Sequence, residues 1–288
     1  VPEGTTLNIL PVMMVNENTT YYDLRRAKSC GILDVKLMPF GRSTNSNFGF
    51  HYFWRLIPLI KWCGDLGIRV HLHPEHPWKL FGNRDAEYQC LAFAEMALTE
   101  SPNVKFFWEH GTDARCIPFW EDLANKTGRF FVTLTAHHLA SNEEQSFGDV
   151  RRTCKPPIKT ERDRHDLCLL VAKRYPWVLA GGDGATHPDI TKHVDHGKCA
   201  CGANTSRFLL PLYAHALHPV LDLSILDGHQ AFKEFTSVNG RNAVGAPSAS
   251  RKVTLVKKPY VIPESSSVGP WKVMSYGAGE EIDWSIEN

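Results

Sequence analysis

Residues 70–76 place three histidines and a glutamate close together: His71, His73, Glu75 and His76. Imidazole is a common protein ligand of zinc-type metals, and the apolar residues before this segment predict that it leaves a β-strand. Two histidines two positions apart on a strand, such as His71 and His73, project from the same face. The pattern therefore predicts either a metal site at a strand end or a solvated loop that happens to be rich in histidine.

Other polar residues stand at comparable places, where a predicted strand ends. They are Lys36, Glu109, His110, His137, His138 and Asp183. In parallel α/β folds the active site is built at the carboxyl ends of the strands. One strand-end histidine alone is more typical of a hydrogen-bonded structural residue. Several chemically competent residues at equivalent strand ends favour an enzyme.

The strands that must position these residues alternate with helices along the chain. Short apolar runs at 7–15, 33–38, 68–73, 104–109, 129–135 and 177–182 predict six strands, separated by helical patterns. Such alternation predicts a parallel sheet, either doubly wound or closed into a (β/α)8 barrel. The chain lacks a glycine-rich nucleotide-binding loop, which disfavours the nucleotide-binding versions. A barrel needs eight units, whereas six are counted.

Lys36 is the most informative of the strand-end residues. It lies between Val35 and Leu37 in an apolar strand, so its ammonium group would be costly to bury. Reaction of the amine with carbon dioxide would turn the side chain into an anion that can bridge two cations. The alternative is a lysine that extends outward from the edge of the sheet.

Short motifs along the chain resemble, in order and spacing, those of dihydroorotase, in the single-function branch of the amidohydrolase superfamily. They are Lys36-Leu37-Met38-Pro39, Ser43-Thr44-Asn45-Ser46, His73-Pro74-Glu75, Glu109-His110-Gly111-Thr112, Thr133 to Leu139, Gly182 to Pro188 and Phe235 to Gly240. The resemblance implies a (β/α)8 TIM barrel of the metal-dependent hydrolase type, forming a single domain over residues 1–288. It also implies the zinc-dependent, reversible interconversion of N-carbamoyl-L-aspartate and dihydroorotate in pyrimidine biosynthesis.

The resemblance assigns a metal centre to four residues. It implies two zinc ions bridged by a carboxylated Lys36. His73 and His110 would ligate one zinc ion, and Asp183 would ligate the other and act as general base and acid. An acid beside a metal-activated water can take its proton and deliver it to the departing nitrogen.

The resemblance also implies contacts to the small-molecule substrate. Ser43 and Thr44 match a mobile loop that closes over the substrate. Leu139 and Ala200, through their backbones, and His187, through its side chain, match contacts to the pyrimidine ring and its carboxylate.

This match changes the interpretation of segment 70–76. Only His73 is then a ligand, and His71 is expected to pack one layer deeper in the barrel. Glu75 and Glu109 are expected either to orient the neighbouring histidines or to be solvated acids.

The family pattern begins with a strand that ends in His-x-His, an arginine that holds the substrate carboxylate, and a second strand that ends near an asparagine. None of these motifs precedes Lys36 in the sequence, and the match places His71-x-His73 on the family's fifth strand, so we expect the chain to open at the family's third strand, with the first two strand-helix units absent. A second hypothesis is therefore a catalytically lapsed barrel that serves as a scaffold or assembly subunit. The four retained ligands favour the enzyme, whereas the missing pair favours the scaffold.

The loop after the sixth strand carries a second candidate metal site. His193, His196, Cys199 and Cys201 have the residue types of a structural zinc site, although their spacing is tight for a tetrahedral knuckle. The alternative is a loop whose cysteines bind no metal.

Composition narrows the classes of partner. The 32 basic and 31 acidic residues nearly balance, which argues against nucleic acid as a partner. The sequence contains no run of eighteen apolar residues, which argues against a membrane span. Its eight scattered cysteines are typical of thiols in a reducing compartment, so we expect a cytoplasmic protein. A homodimer is expected because the family is commonly dimeric.

Overall fold

A six-stranded parallel sheet forms the centre of the computed structural model, which describes residues 9–82, 84–249 and 251–287. The strands are β1 (Val12–Val15), β2 (Asp34–Leu37), β3 (Arg69–Leu72), β4 (Phe106–Trp108), β5 (Phe130–Thr135) and β6 (Val178–Gly181). The predicted strand at 7–15 is confirmed from Val12 onward, and residues 7 and 8 lie outside the described residues. Each strand pairs in parallel with the next along the chain, so all six carboxyl ends lie at one edge of the sheet.

The order of the strands decides between the two predicted parallel architectures. It runs from β1 to β6 without reversal. A doubly wound sheet reverses its strand order at a switch point, so this sheet is of the singly wound type that barrels contain.

Helices connect the strands and continue beyond them. The described helices are α1 (Tyr21–Ser29), α2 (Ile57–Leu66), α3 (Asp85–Tyr88), α4 (Leu91–Glu100), α5 (Ile117–Thr127), α6 (Ala136–Ala140), α7 (Glu143–Ser146), α8 (Glu161–Ala172), α9 (Asp189–Lys192), α10 (Leu209–Leu221), α11 (Leu226–Lys233) and α12 (Asn239–Val244). A π-helical turn, Glu234–Val238, joins α11 to α12. No helix of the described chain is both long and apolar enough to cross a membrane.

Local sequence explains where several helices begin and end. Thr20 caps α1, because its hydroxyl accepts from the Asp23 N–H at 3.2 Å while the Asp23 carboxylate accepts from the Thr20 N–H at 2.9 Å. Gly67 ends α2 and Gly128 ends α5, both with left-handed backbone that glycine adopts without a steric penalty.

Alternation along the strands separates two faces of the sheet. In β2, Val35 and Leu37 are fully buried among residues of α1 and α2, including Leu24 and Ile60. Residues at odd and even positions point to opposite faces, so Lys36 lies on the other face. A smaller apolar cluster that contains Phe107 and Leu179 packs on residues of α12. The sheet therefore carries its charged residues on the face opposite the main core.

Two stretches contain more structure than the sequence predicts. The region 137–157, which has no clear periodic pattern, contains most of α6, all of α7 and a 3-10 turn at Val150–Arg152. The C-terminal tail forms three small antiparallel pairs: β7 (Leu255–Val256) with β12 (Ser285–Ile286), β8 (Tyr260–Val261) with β11 (Glu281–Ile282), and β9 (Ser265–Val268) with β10 (Trp271–Met274). Elements this short depend on tertiary packing, so their local sequence carries little periodic signal.

Candidate active site

Four of the predicted site residues lie at the carboxyl edge of the central sheet. Lys36 is the next-to-last residue of β2, and His73 directly follows β3. His110 comes two residues after β4, and Asp183 comes two residues after β6. The rings of His73 and His110 meet edge to face with centroids 4.6 Å apart. The Lys36 ammonium group interacts electrostatically with both histidines and with Asp183. The sheet thus brings together residues that are up to 147 positions apart in the sequence.

The backbone is left-handed at two of these residues. His110 has φ +41° and Asp183 has φ +36°, values that non-glycine residues rarely adopt. Gly111 follows His110, and a Cβ atom there would lie 2.6 Å from the Trp120 ring. The chain therefore turns tightly over the strand ends and holds each side chain close to the sheet.

The charges of the site are strongly coupled. Burial lowers the pKa of Lys36, and the negative charges of Glu109 and Asp183 oppose that effect. Burial would by itself raise the pKa of Glu109, but the Lys36 charge and hydrogen bonds from His71 and Thr133 hold it at about 2. Although part of Asp183 is exposed, protein atoms packed around its carboxyl group raise its pKa to about 6 by displacing water. The Glu109 charge adds to this rise and the Lys36 charge opposes it.

Both strand-end histidines have the neutral form that metals bind. Burial lowers the pKa of His73, and a 2.8 Å contact joins its Nε2 to Glu75 Oε2. Burial and the charges of His73 and Lys36 hold the pKa of His110 well below its usual value. The Nδ1 atom of His110 is buried and has no hydrogen-bond partner among the described residues. A buried imidazole nitrogen without a partner fits a metal ligand.

His71 lies on the same face of the sheet as Lys36, but both of its ring nitrogens are bonded to carboxylates and so are not available to a metal ion. Its Nδ1 is 2.6 Å from Glu109 Oε1 and its Nε2 is 2.8 Å from Asp34 Oδ1. The ring also stacks on Phe107 at 4.5 Å. These contacts place His71 below the strand-end residues, as expected, and leave its ring nitrogens occupied.

Thr133 on β5 connects Glu109 to His110. Its hydroxyl donates to Glu109 Oε2 and accepts from the His110 N–H, each at 2.7 Å. One hydroxyl group therefore fixes both the carboxylate beside Lys36 and the strained backbone of His110.

The loops beyond the strand ends enclose a cavity of about 600 Å³. Ser43, Thr44 and Ala200 line it, together with the cationic residues Arg42, Lys79, Lys155 and Lys198. Such a lining favours an anionic ligand. The sequence did not reveal these four basic residues, because they come from separate loops and share no motif.

Several predicted substrate residues are joined to other residues of these loops. Thr44 Oγ1 accepts from the Cys201 N–H at 2.9 Å, and His187 Nε2 is 2.9 Å from the Cys201 carbonyl oxygen. The Ala200 N–H donates to the Thr191 carbonyl at 2.8 Å. The two loops therefore meet directly over the cavity.

Leu139 has a different position from the one its predicted role suggests. Its side chain is buried in α6, and its carbonyl oxygen accepts from Arg164 of α8 at 3.1 Å. Leu139 is not among the residues that line the 600 Å³ cavity.

Two further groups of residues have the types of metal ligands, and the structure brings only one of them together. Within the described chain, His193, His196, Cys199 and Cys201 do not meet as a cluster, and His193 Nδ1 is bonded to Asp189 at 2.5 Å. A group that was not predicted, formed by His137, His138 and Cys154, does bring its ligand atoms together. The adjacent histidines at a strand end were a visible signal, but the sequence did not reveal that Cys154 lies beside them.

Curated relatives share the whole length of this chain. It is 29% identical to the dihydroorotase of Shewanella oneidensis and 30% identical to that of Hahella chejuensis. Both alignments cover 100% of this chain, and they cover 82% and 81% of the respective relatives. No family model matches the chain.

Solved structures of the same kind superpose on the fold. Dihydroorotase from Saccharomyces cerevisiae, crystallised with 5-fluoroorotic acid, gives a TM-score of 0.87 at 26% identity over 96% of this chain and 80% of that chain. Dihydroorotase from Campylobacter jejuni gives 0.77 at 25% identity over 96% of this chain and 78% of that chain. An L-hydantoinase from Arthrobacter aurescens gives 0.75 at 11% identity, covers 96% of this chain and 67% of that chain, and supports the fold alone.

Proposed function

This chain belongs to the dihydroorotase family of cyclic amidohydrolases, and we propose that it catalyses the reversible interconversion of N-carbamoyl-L-aspartate and dihydroorotate through Lys36, His73, His110 and Asp183. The observation that carries this assignment is the convergence of these four residues at the carboxyl edge of one parallel sheet. A scaffold needs neither a buried lysine nor two neutral histidines at that edge. Relatives named dihydroorotase supply the reaction class.

The residues at the strand ends suit zinc. Two buried imidazoles, one carboxylate and a lysine convertible to a carbamate are hard and intermediate donors that zinc accepts, and the partnerless Nδ1 of His110 is the observation that supports a ligand there. Lys36 as a carbamate would hold two zinc ions between the histidines and Asp183. When bound, zinc makes water acidic enough to be a nucleophile at neutral pH and polarises the amide carbonyl.

Carboxylation of Lys36 requires carbon dioxide and no other reagent. The ammonium group first loses a proton to solvent. The resulting amine nitrogen then forms a bond to the carbon of carbon dioxide, one C–O π bond opens, and the nitrogen loses a second proton to solvent. The product is an anionic carbamate in place of a cation. This change removes the cation that faces His73 and His110 and so favours metal cations beside them.

Asp183 moves the proton in this scheme. In the hydrolytic direction its carboxylate takes a proton from the attacking water and gives it to the ring nitrogen as the C–N bond breaks. In the synthetic direction the same carboxyl group takes that proton back from the nitrogen. The left-handed backbone of Asp183 supports this role, because it turns the residue back over the end of β6.

The loops bind the anionic substrate. Ser43 and Thr44 close over it from one side and His187 and Ala200 from the other, whereas Leu139, whose carbonyl oxygen accepts from Arg164, is left out of this proposal. The cations of the 600 Å³ cavity support this assignment, because both substrates carry carboxylates. Thr44 Oγ1 accepts from the Cys201 N–H, which leaves its own O–H to donate to a substrate carboxylate.

The test combines activity with metal content. We expect the purified chain to bind zinc and to hydrolyse dihydroorotate, and Asp183→Asn to lower the hydrolysis rate by roughly 100-fold or more. Asp65→Asn, an exposed acid on α2, is the matched control and should keep the wild-type rate. Isotope-labelled bicarbonate should give a carbamate resonance that Lys36→Arg lacks. Absence of both zinc and hydrolysis would favour the scaffold hypothesis.

Three further parts of the assignment are proposals. The six strands are consecutive members of a (β/α)8 barrel, which the single direction of the strand order supports. The compartment is the cytoplasm, which the eight free thiols support. A homodimer stays a prediction.

A further inference from the structure

Three buried side chains of metal-ligand type lie together outside the proposed active centre. They are His137, His138 and Cys154, and their ligand atoms lie within 4.8 Å of one another. Their exposed fractions are 0%, 3% and 3%. We propose that these three residues form a separate, structural site for a zinc-class divalent ion.

The distances within the cluster are those of a coordination shell. Cys154 Sγ is 3.5 Å from His138 Nε2. Around a tetrahedral zinc ion, with Zn–N near 2.05 Å and Zn–S near 2.3 Å, neighbouring donor atoms are roughly 3.3–3.6 Å apart. The Pro156 carbonyl oxygen accepts hydrogen bonds from His138 Nε2 at 2.9 Å and from Cys154 Sγ at 3.3 Å, so both donor atoms already point at one acceptor and an ion would replace their protons.

Thr135 can set the orientation of both imidazole rings. Its Oγ1 is 2.6 Å from His138 Nδ1 and 3.3 Å from His137 Nε2. In this structure His138 Nε2–H donates to the Pro156 carbonyl oxygen, so its Nδ1 accepts from the Thr135 hydroxyl. Binding of an ion would move the His138 proton to Nδ1, where Thr135 Oγ1 would accept it, and would leave lone pairs on Nε2 of His138 and Nδ1 of His137. A hydrogen-bond acceptor behind each ligating histidine is the usual arrangement at metal sites.

His137 gives an independent reason to expect a cation. Its Nδ1 is buried and makes no hydrogen bond within the part of the chain that the structure describes. Buried polar atoms are almost always paired, so a buried lone pair without a donor points to a missing partner. A metal ion would satisfy it together with Cys154, which loses its thiol proton to solvent as the ion binds.

The positive charges of two nearby lysines oppose the binding of a metal ion, but both ammonium groups are bonded to other residues. Lys192 Nζ donates to the Thr153 carbonyl at 2.9 Å, and Lys159 Nζ donates to Thr112 at 2.9 Å and faces the buried Glu87 at 3.8 Å. The thiolate formed at Cys154 cancels one of the two charges of the ion. The thiolate is therefore required for binding, and the site selects zinc-like metals over magnesium or calcium.

This site would join α6 to the loop that contains Lys155, near the 600 Å³ cavity. His137 and His138 belong to α6, whereas Cys154 and Pro156 flank Lys155, which lines the 600 Å³ cavity. An ion would therefore fix the position of Lys155. The inference does not depend on the proposed hydrolysis, because the two centres share no ligand.

Cobalt provides a selective probe of the site. The proposed active centre contains no sulfur ligand, so thiolate-to-cobalt charge-transfer absorption in the near ultraviolet reports a cysteine ligand alone. We expect the full chain to develop this band with one equivalent of Co²⁺, and Cys154→Ser to lose the band and one zinc ion per chain by elemental analysis. Cys168→Ser, a buried thiol on α8, and the double variant Cys199→Ser with Cys201→Ser should keep both.

The outcomes separate this site from the active centre. No band in the wild-type chain at saturating Co²⁺, or a band that persists in Cys154→Ser, would overturn the proposal. If Cys154→Ser does not fold by circular dichroism, His137→Gln replaces it. That variant should weaken the cobalt affinity about 10-fold or more, and an unchanged affinity overturns the proposal. Asp183→Asn should lose hydrolysis and keep the band. A wild-type chain that shows the band but does not hydrolyse dihydroorotate rejects the proposed function and leaves this site standing.

Discussion

Thr133→Val tests the claim that one hydroxyl group holds the strand-end geometry. Valine keeps the shape of threonine, so packing changes little. It leaves the buried His110 N–H without its acceptor and removes a donor from the Glu109 carboxylate. A hydrogen bond to a charged group contributes roughly 1.5–3 kcal/mol, and an orphaned buried N–H costs roughly 1–3 kcal/mol. Partial relaxation reduces their sum, so we expect a loss of about 3 kcal/mol in the free energy of unfolding.

The same variant should weaken metal binding. His110 adopts φ +41°, and the bond to Thr133 opposes its return to a relaxed backbone. When that bond is lost, the ring moves and zinc affinity falls roughly 10- to 100-fold.

Two assays measure these effects. Guanidinium denaturation of the metal-free protein gives the free energy of unfolding, and competition with a chromogenic chelator gives the zinc affinity. Thr133→Ser keeps the hydroxyl group and should restore most of both quantities. A Thr133→Val protein within about 0.5 kcal/mol of wild type, the range of ordinary surface substitutions, and with unchanged zinc affinity would refute the reasoning.

Two further predictions concern stability. A Cβ at Gly228 would lie 2.2 Å from the Leu221 carbonyl oxygen, so Gly228→Ala should destabilise the protein by roughly 1–3 kcal/mol, whereas Gly240→Ala, with no atom within 4 Å, should stabilise it by about 0.5–1 kcal/mol. Equal midpoints of thermal unfolding for the two variants would contradict this. Burial alone would raise the pKa of Asp163, but its bond to Arg84 helps to hold that pKa below 3.8. Its stabilising effect is therefore present above pH 3.8 and is lost as the pH falls through the lower, folded pKa. Asp163→Asn should accordingly cost roughly 1.5–3 kcal/mol at pH 7 and much less near pH 2, by denaturation at both values. The same cost at both would argue against this linkage.

The strands were predictable because period and position are local properties. Apolar runs bounded by turn residues predict β2 to β6, and the two charged residues of β2, Asp34 and Lys36, mark the face opposite the main core. The contact between His73 and His110 followed from the parallel arrangement, since equivalent strand ends meet at one edge.

The remaining features depend on contacts between distant segments. The bond from Thr133 to Glu109 requires the register of β4 against β5, which no local pattern encodes. Cys154 reaches His138 only through the path of the loop between them, and that path depends on the packing of α6 against α8 and α10.

The left-handed backbone at His110 and Asp183 bears on how selection has acted on this chain. Each such residue costs of order 1–3 kcal/mol, and glycine at either position would relieve that strain. A barrel kept only for its shape would gain stability from those substitutions and lose nothing, so drift would replace both residues readily. Strain at both positions is what a site that depends on the placement of two side chains would maintain.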